Sequence, residues 1–75
     1  MEDYGNINSK SGILAYEAGP DFIRVKFKDN SVYLYTYASA DPHSIEHMKS
    51  LAAAGEGLNT FINTNVKKAY ARKER

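Results

Sequence analysis

Two histidines and a glutamate within five residues are the first candidates for chemistry. The stretch "HSIEH", residues 43–47, matches the H-x-x-E-H pattern of one class of zinc peptidases, and a helix would bring His43 and His47 to one face. A catalytic zinc needs a third protein ligand and a substrate cleft, and 75 residues are too few for a peptidase scaffold. We interpret the pair as exposed helix histidines. We expect no catalytic residue, no metal site and no cofactor.

A glycine-rich stretch, "GEG" at residues 55–57, is a second candidate, because glycine-rich loops before helices bind phosphates. It lacks the lysine and hydroxyl residue of a P-loop, and it follows a predicted helix rather than a strand. We interpret it as a connector between two helices.

Alternating tyrosines and alternating cations point to binding instead. Aromatic side chains stack on nucleic-acid bases, and cations beside them neutralise phosphates. The tyrosines would form a stacking surface only if they are exposed, and they lie along one predicted strand: Tyr33, Tyr35 and Tyr37.

Charge is uneven along the chain. Residues 67–75 hold five cations against Glu74, a net charge of +4, whereas residues 1–66 hold five cations and eight anions. A basic segment on an acidic body indicates an anionic partner such as RNA or another nucleic acid; the alternative is a solvated C-terminus with cations at a helix end. The candidate phosphate contacts are Arg24, Lys26, Lys28, Lys67, Lys68, Arg72 and Lys73.

Residue periodicity predicts the elements that position these groups. The predicted strands are residues 13–16, 22–28 and 31–38. Asp41 and Pro42 are typical of a helix start and Gly55 of a helix end, and a second apolar stripe predicts a helix from Leu58 to about Ala71 or Arg72. The order β-β-β-α-α predicts an α+β fold, a three-stranded antiparallel sheet with two helices packed on one face.

The hairpin turn decides which face the tyrosines take, because a slip of one residue moves every side chain to the opposite face. A two-residue loop, residues 29–30, puts the tyrosines beside the strand cations and makes the cleaner aliphatic face. A three-residue loop, residues 28–30, with Asn30 left-handed, puts them in the core. In that register Val32 and Leu34 face outward. They would then be the apolar anchors of a protein-interaction module that acts through the sheet face or edge strand, the second functional hypothesis.

Several stretches resemble the KTSC domain, a short domain at the C-terminus of some lysyl-tRNA synthetases that is also free-standing in bacterial and phage proteins. The resemblance covers residues 8–71 through "IRVKF", "VYLYTY" and "INTNVKKAY". Its most specific parts are Tyr33-Leu34-Tyr35 and the pattern Asn63, Val66, Lys67, Tyr70.

The resemblance implies a single domain over residues 8–71, with flexible ends at 1–7 and 72–75. It implies RNA binding only by analogy with the synthetases. It also implies that Tyr33 and Tyr35 are mostly core, since the residue between them is often polar in the family. Two features depart from the family pattern: Asn30 replaces the usual turn glycine, and the usual Val-Pro after the tyrosines is missing.

Composition predicts the setting of the protein. There is no cysteine, which fits a reducing compartment, and the first residues lack the basic end and apolar run of a secretory signal. No apolar run is long enough to span a bilayer. We expect a small cytoplasmic binding module that is not an enzyme, is a monomer or weak homodimer, has no membrane association, and has RNA or a protein as its partner.

Overall fold

The computed structural model describes residues 2–3 and 12–75. The fold is α+β, as predicted, with an antiparallel sheet followed by two helices. The sheet is larger than predicted, because a two-residue strand lies at each edge of the three predicted strands. In chain order the strands are β1 (Glu2–Asp3), β2 (Ile13–Ala18), β3 (Phe22–Phe27), β4 (Val32–Thr36) and β5 (Arg72–Lys73), and each pairs with the next.

Two helical segments connect β4 to β5. They are α1 (Pro42–Ala54) and α2 (Leu58–Phe61), and α2 continues as a π-helix over Ile62–Val66. Both segments pack on one face of the sheet, as predicted. None of the described helices is long and apolar enough to cross a membrane. The core between sheet and helices comprises Ile13, Ile23, Val25, Tyr35, Ile45, Met48, Ala52, Leu58, Ile62 and Val66.

The ends of α1 are those that the sequence predicts. The Asp41 carboxylate accepts hydrogen bonds from the Ser44 N–H at 2.8 Å and from the Ser44 hydroxyl at 2.9 Å. Pro42 is the first helical residue, where its missing N–H costs nothing. Gly55 ends the helix in the left-handed conformation with φ 81°, and its N–H donates to the Leu51 and Ala52 carbonyls. The connector prediction for residues 55–57 is therefore confirmed.

The β3–β4 turn resolves the register. Val25 pairs with Tyr33 and Ile23 with Tyr35. The Asn30 N–H donates to the Phe27 carbonyl, the Phe27 N–H donates to the Ser31 carbonyl, and Asn30 has φ 69°. This is the three-residue loop with a left-handed asparagine, which excludes the two-residue loop. Tyr35, only 1% exposed, lies in the core.

The outer face of the sheet, away from the helices, does not offer the apolar anchors considered above. Val32 and Leu34 point to this face, opposite Lys26 and Arg24, but they are only 7% and 8% exposed. Ion pairs join charged residues of the same face. The Arg24 Nε lies 2.7 Å from Glu74 Oε1, and the Arg24 Nη1 lies 3.6 Å from Glu17 Oε1. The assignment of Val32 and Leu34 as exposed anchors is therefore wrong.

The end of the second helical segment also differs from the prediction. Helical structure stops at Val66 instead of Ala71 or Arg72. The chain then turns to the free edge of β4, where the Ala71 N–H donates to the Leu34 carbonyl at 2.6 Å and the Glu74 N–H to the Val32 carbonyl at 2.7 Å. Sheet pairing satisfies backbone groups that this edge would otherwise expose, so it competes successfully with helix continuation. The predicted flexible end at 72–75 thus contains strand β5.

Candidate functional site

A cleft of about 370 Å³ opens between the tip of the β3–β4 hairpin and the end of the second helical segment. Its hairpin side comes from three successive features: the end of β3, the turn and the start of β4. Its other side comes from the π-helix and the residues that lead toward β5. The lining residues are Phe27, Asp29, Ser31, Tyr33, Tyr35, Ile62, Asn63, Lys67, Lys68 and Tyr70.

Aromatic rings form a connected wall of the cleft. The Tyr33 ring contacts Phe27 and Tyr70 edge to face, with centroids 5.6 Å and 4.8 Å away, and Tyr70 contacts Tyr35 at 6.4 Å. Tyr33 is half-buried, while Tyr70 is 39% exposed and lines the cleft. Edge-to-face contacts of this kind hold rings in fixed positions. Burial, with smaller effects of Tyr33 and Tyr70, raises the pKa of Tyr35 to about 12, so its hydroxyl stays protonated.

Three lysines place positive charge at this wall. Lys67 and Lys68 line the cleft and are exposed, and the Lys73 ammonium lies 5.8 Å from the centroid of the Tyr33 ring. Among residues 12–75, no carboxylate forms an ion pair with any of the three. The charges of Lys67 and Lys68 are thus available to an anionic ligand, next to aromatic surface.

One carboxylate, Asp29, lines the same cleft. The Ser31 hydroxyl donates to its Oδ1 at 2.6 Å and the Ser31 N–H donates to the same oxygen at 3.0 Å. These two hydrogen bonds, and to a smaller degree the positive charge of Lys73, lower the pKa of Asp29, so the group is ionised at neutral pH. The cleft therefore combines aromatic rings, two lysines and one carboxylate, with Lys73 beside its Tyr33 ring.

The structure separates the predicted binding residues into two groups. Lys67, Lys68 and Lys73 come together with Tyr33 and Tyr35 at the cleft. Arg24, Lys26 and Arg72 belong to the outer face, where both arginines pair with Glu74. Lys28 lies in the hairpin turn, and its backbone N–H donates to the Gly12 carbonyl. The strand cations and the tyrosines therefore do not form one surface.

Tyr37 lies apart from the other tyrosines. Its hydroxyl donates to Glu46 Oε2 at 2.6 Å, and this hydrogen bond raises the pKa of Tyr37. The Lys49 ammonium lies 5.8 Å from its ring and 2.8 Å from the same Glu46 oxygen. Tyr37 thus joins the residues after β4 to α1 and is not part of the aromatic wall.

Sequence reasoning assigns six of the lining residues to no site: Phe27, Asp29, Ser31, Ile62, Asn63 and Tyr70. Tyr70 falls on the apolar stripe that predicts the second helix, although it follows the helix end. The sequence does single out Asn63 and Tyr70, since both belong to the pattern that resembles the KTSC domain. The sequence identifies Asp29 and Ser31 only as turn residues, because their place in the cleft depends on the packing of the hairpin beside the π-helix.

The histidines of the H-x-x-E-H stretch are exposed on α1, as interpreted from the sequence. The His47 ring lies 4.8 Å from the ring of Phe61, a contact between α1 and α2. Within the described part of the chain, no group of three or more His, Cys, Asp or Glu side chains is placed to hold a metal ion.

Comparison of the chain with protein-family models, with curated proteins and with solved structures found no match. The KTSC resemblance stays a prediction that rests on the residues quoted for it.

Proposed function

We propose that this domain is a non-catalytic module that binds single-stranded nucleic acid, RNA in the first place, in the cleft. The observation that carries the proposal is the meeting of Tyr33 and Tyr70 with Lys67 and Lys68 in one concave site. Lys73 adds a third cation beside the Tyr33 ring. Aromatic surface beside cations is the combination that sequence-tolerant single-strand binding uses. We propose RNA as the ligand before DNA because the KTSC domain, which the sequence resembles, occurs in lysyl-tRNA synthetases.

The exposed ring of Tyr70 is the stacking surface in this account, and Tyr33 supports it from behind. Stacking of a base on an aromatic side chain is worth about 1–3 kcal/mol. The cleft volume of about 370 Å³ lies at the small end of the range for ligand sites, which suits one unpaired nucleotide of a strand. A duplex keeps its bases stacked inside and would not offer one to the cleft.

The lysines neutralise phosphates on either side of the bound base. Three contacts are few, and the net charge of the protein is only +1, so binding is expected to be modest in strength. Each phosphate contact contributes about 0.7 to the slope of log affinity against log salt concentration for single strands. Three contacts therefore give a slope of roughly 2.

The alternative is a protein-interaction module with Val32 and Leu34 as its exposed apolar anchors. Both residues are buried, so they do not support this alternative. A cytoplasmic location and a monomeric or weakly dimeric state belong to the proposal. The supporting observation for the location is the absence of cysteine.

The proposal is tested by fluorescence anisotropy of a labelled single-stranded RNA of mixed sequence over a salt series. Lys67→Gln and Lys68→Gln should each weaken binding and reduce the salt slope by about 0.7. Lys26→Gln is the matched control, because it removes the same charge from the outer face. Absence of binding by the unaltered protein at low salt would overturn the proposal. Equal weakening by all three variants would place the site outside the cleft.

A further inference from the structure

A carboxylate is an unexpected group in a cleft for nucleic acid, because it repels phosphates. Asp29 is nevertheless held there in one orientation. Ser31 donates two hydrogen bonds to the carboxylate, and both end on Oδ1 and not on Oδ2. An ionised carboxylate only accepts hydrogen bonds, so Oδ2 calls for a ligand that donates.

The four RNA bases differ in what they offer to such an acceptor. On its Watson–Crick edge guanine carries two neighbouring donors, N1–H and the N2 amine. Adenine and cytosine carry one amine beside a ring nitrogen that accepts, and the N3–H of uracil lies between two carbonyl oxygens. A carboxylate facing any of these three meets an acceptor as well as a donor. Unstacked bases in single strands are recognised through this edge.

Asn63 provides a second polar group on the opposite side of the cleft. It lines the cleft from the π-helix and its side chain is exposed. Its amide has both donors and an acceptor, so it can donate to the O6 carbonyl of guanine while Asp29 accepts from N1–H or N2. The aromatic wall stacks with every base and does not discriminate. Discrimination therefore falls to polar groups of the cleft, and Asp29 is the one among them that only accepts hydrogen bonds.

We propose that the cleft selects guanine among the bases of a single strand, and that Asp29 is the residue that determines this specificity. The inference deepens the proposed function and rests on it: the strand is held by the aromatic wall and the lysines, and the base edge is read by Asp29. Hydrogen bonds to a charged group are among the stronger ones, and loss of one corresponds to about a tenfold change in affinity.

The experiment compares short labelled oligouridines that carry a single central G, A, C or U. A single guanine avoids the self-association of guanine-rich strands. The G oligonucleotide should bind the unaltered protein about tenfold more tightly than the all-uridine one. Replacing the central G with inosine removes the N2 amine alone and should reduce this advantage.

Asp29→Asn is the matched variant. Asparagine keeps a carbonyl oxygen for the two Ser31 donors, and it turns the other carboxylate oxygen into an amide donor. The variant should stay folded with a somewhat lower melting temperature, because the charge that Ser31 and Lys73 favour is gone. It should bind the all-uridine strand at least as well, since a negative charge is removed from the cleft, and it should lose the preference for guanine. Equal binding of all four oligonucleotides by the unaltered protein would overturn this inference and leave the proposed function standing. A guanine preference that survives in Asp29→Asn would overturn the assignment to Asp29. Binding of none of them would overturn the proposed function itself.

Discussion

Tyr33 and Tyr70 contact each other edge to face, with their ring centroids 4.8 Å apart, although one belongs to β4 and the other follows the second helical segment. The contact depends on two local features. The three-residue hairpin loop turns Tyr33 toward the helices. The helix end at Val66 frees Tyr70 to lie across from it.

Replacement of Tyr70 separates stacking from other contributions to binding. Tyr70→Leu should weaken binding of single-stranded RNA by about 1–3 kcal/mol, because it removes the exposed ring of the cleft. Tyr70→Phe, the matched control, keeps the ring and should bind nearly as well as the unaltered protein. Anisotropy titrations at constant salt measure both. Equal weakening by the two substitutions would attribute the effect to the hydroxyl instead of to stacking.

Substitutions of Asn30 test the turn that determines which face of the sheet the tyrosines lie on. Its φ of 69° lies in the left-handed region, which glycine adopts freely and alanine does not. Asn30→Ala should lower the free energy of unfolding by about 1 kcal/mol, and Asn30→Gly should leave it unchanged or raise it. Urea denaturation of the two variants measures the difference. A glycine variant less stable than the alanine variant would contradict the left-handed turn.

Glu74 gives stability a defined pH dependence. Hydrogen bonds from Arg24 first, and from Arg72 next, lower the pKa of Glu74 below its ordinary value of 4.5. The carboxylate is thus more acidic in the folded than in the unfolded chain. Its contribution to stability is complete above the unfolded-state pKa near 4.5 and is lost as the pH falls through the lower folded-state value.

Glu74→Gln should therefore lower the melting temperature at neutral pH, and the difference from the unaltered protein should shrink in acid, below pH 4.5. Calorimetric melting curves over a pH series measure this trend. Glu56→Gln, in the exposed connector between the helices, is the control and should follow the unaltered protein. A difference that stays constant down to strongly acid pH would show that the ion pair with Arg24 does not stabilise the fold.

Local chemistry made much of the fold predictable. Asp41, Pro42 and Gly55 delimit α1 through hydrogen bonds and backbone geometry within a few residues, so their sequence signals suffice. The face of Tyr33 depended on one residue of loop length, and Asn30 is compatible with both turns. The sequence alone therefore left that register open.

Long-range pairing explains what the sequence could not predict. The apolar stripe of the second helical segment continues through Ala69 and Tyr70, so periodicity favoured a longer helix. Instead, the residues after the helix end pair with the free edge of β4 as strand β5. This pairing places Lys73 beside Tyr33. The cleft shares this origin, since Asp29 and Asn63 line it together through the packing of the hairpin beside the π-helix.

The most direct test of the central claim is a map of backbone amide shifts in NMR spectra as single-stranded RNA is added. We expect changes at the cleft, in residues 29–33 and 63–70, with Asp29 and Tyr70 among them. We expect little change on the outer face, at Glu17 and Arg24. Changes confined to the outer face, or a spectrum unaltered by RNA at low salt, would contradict it.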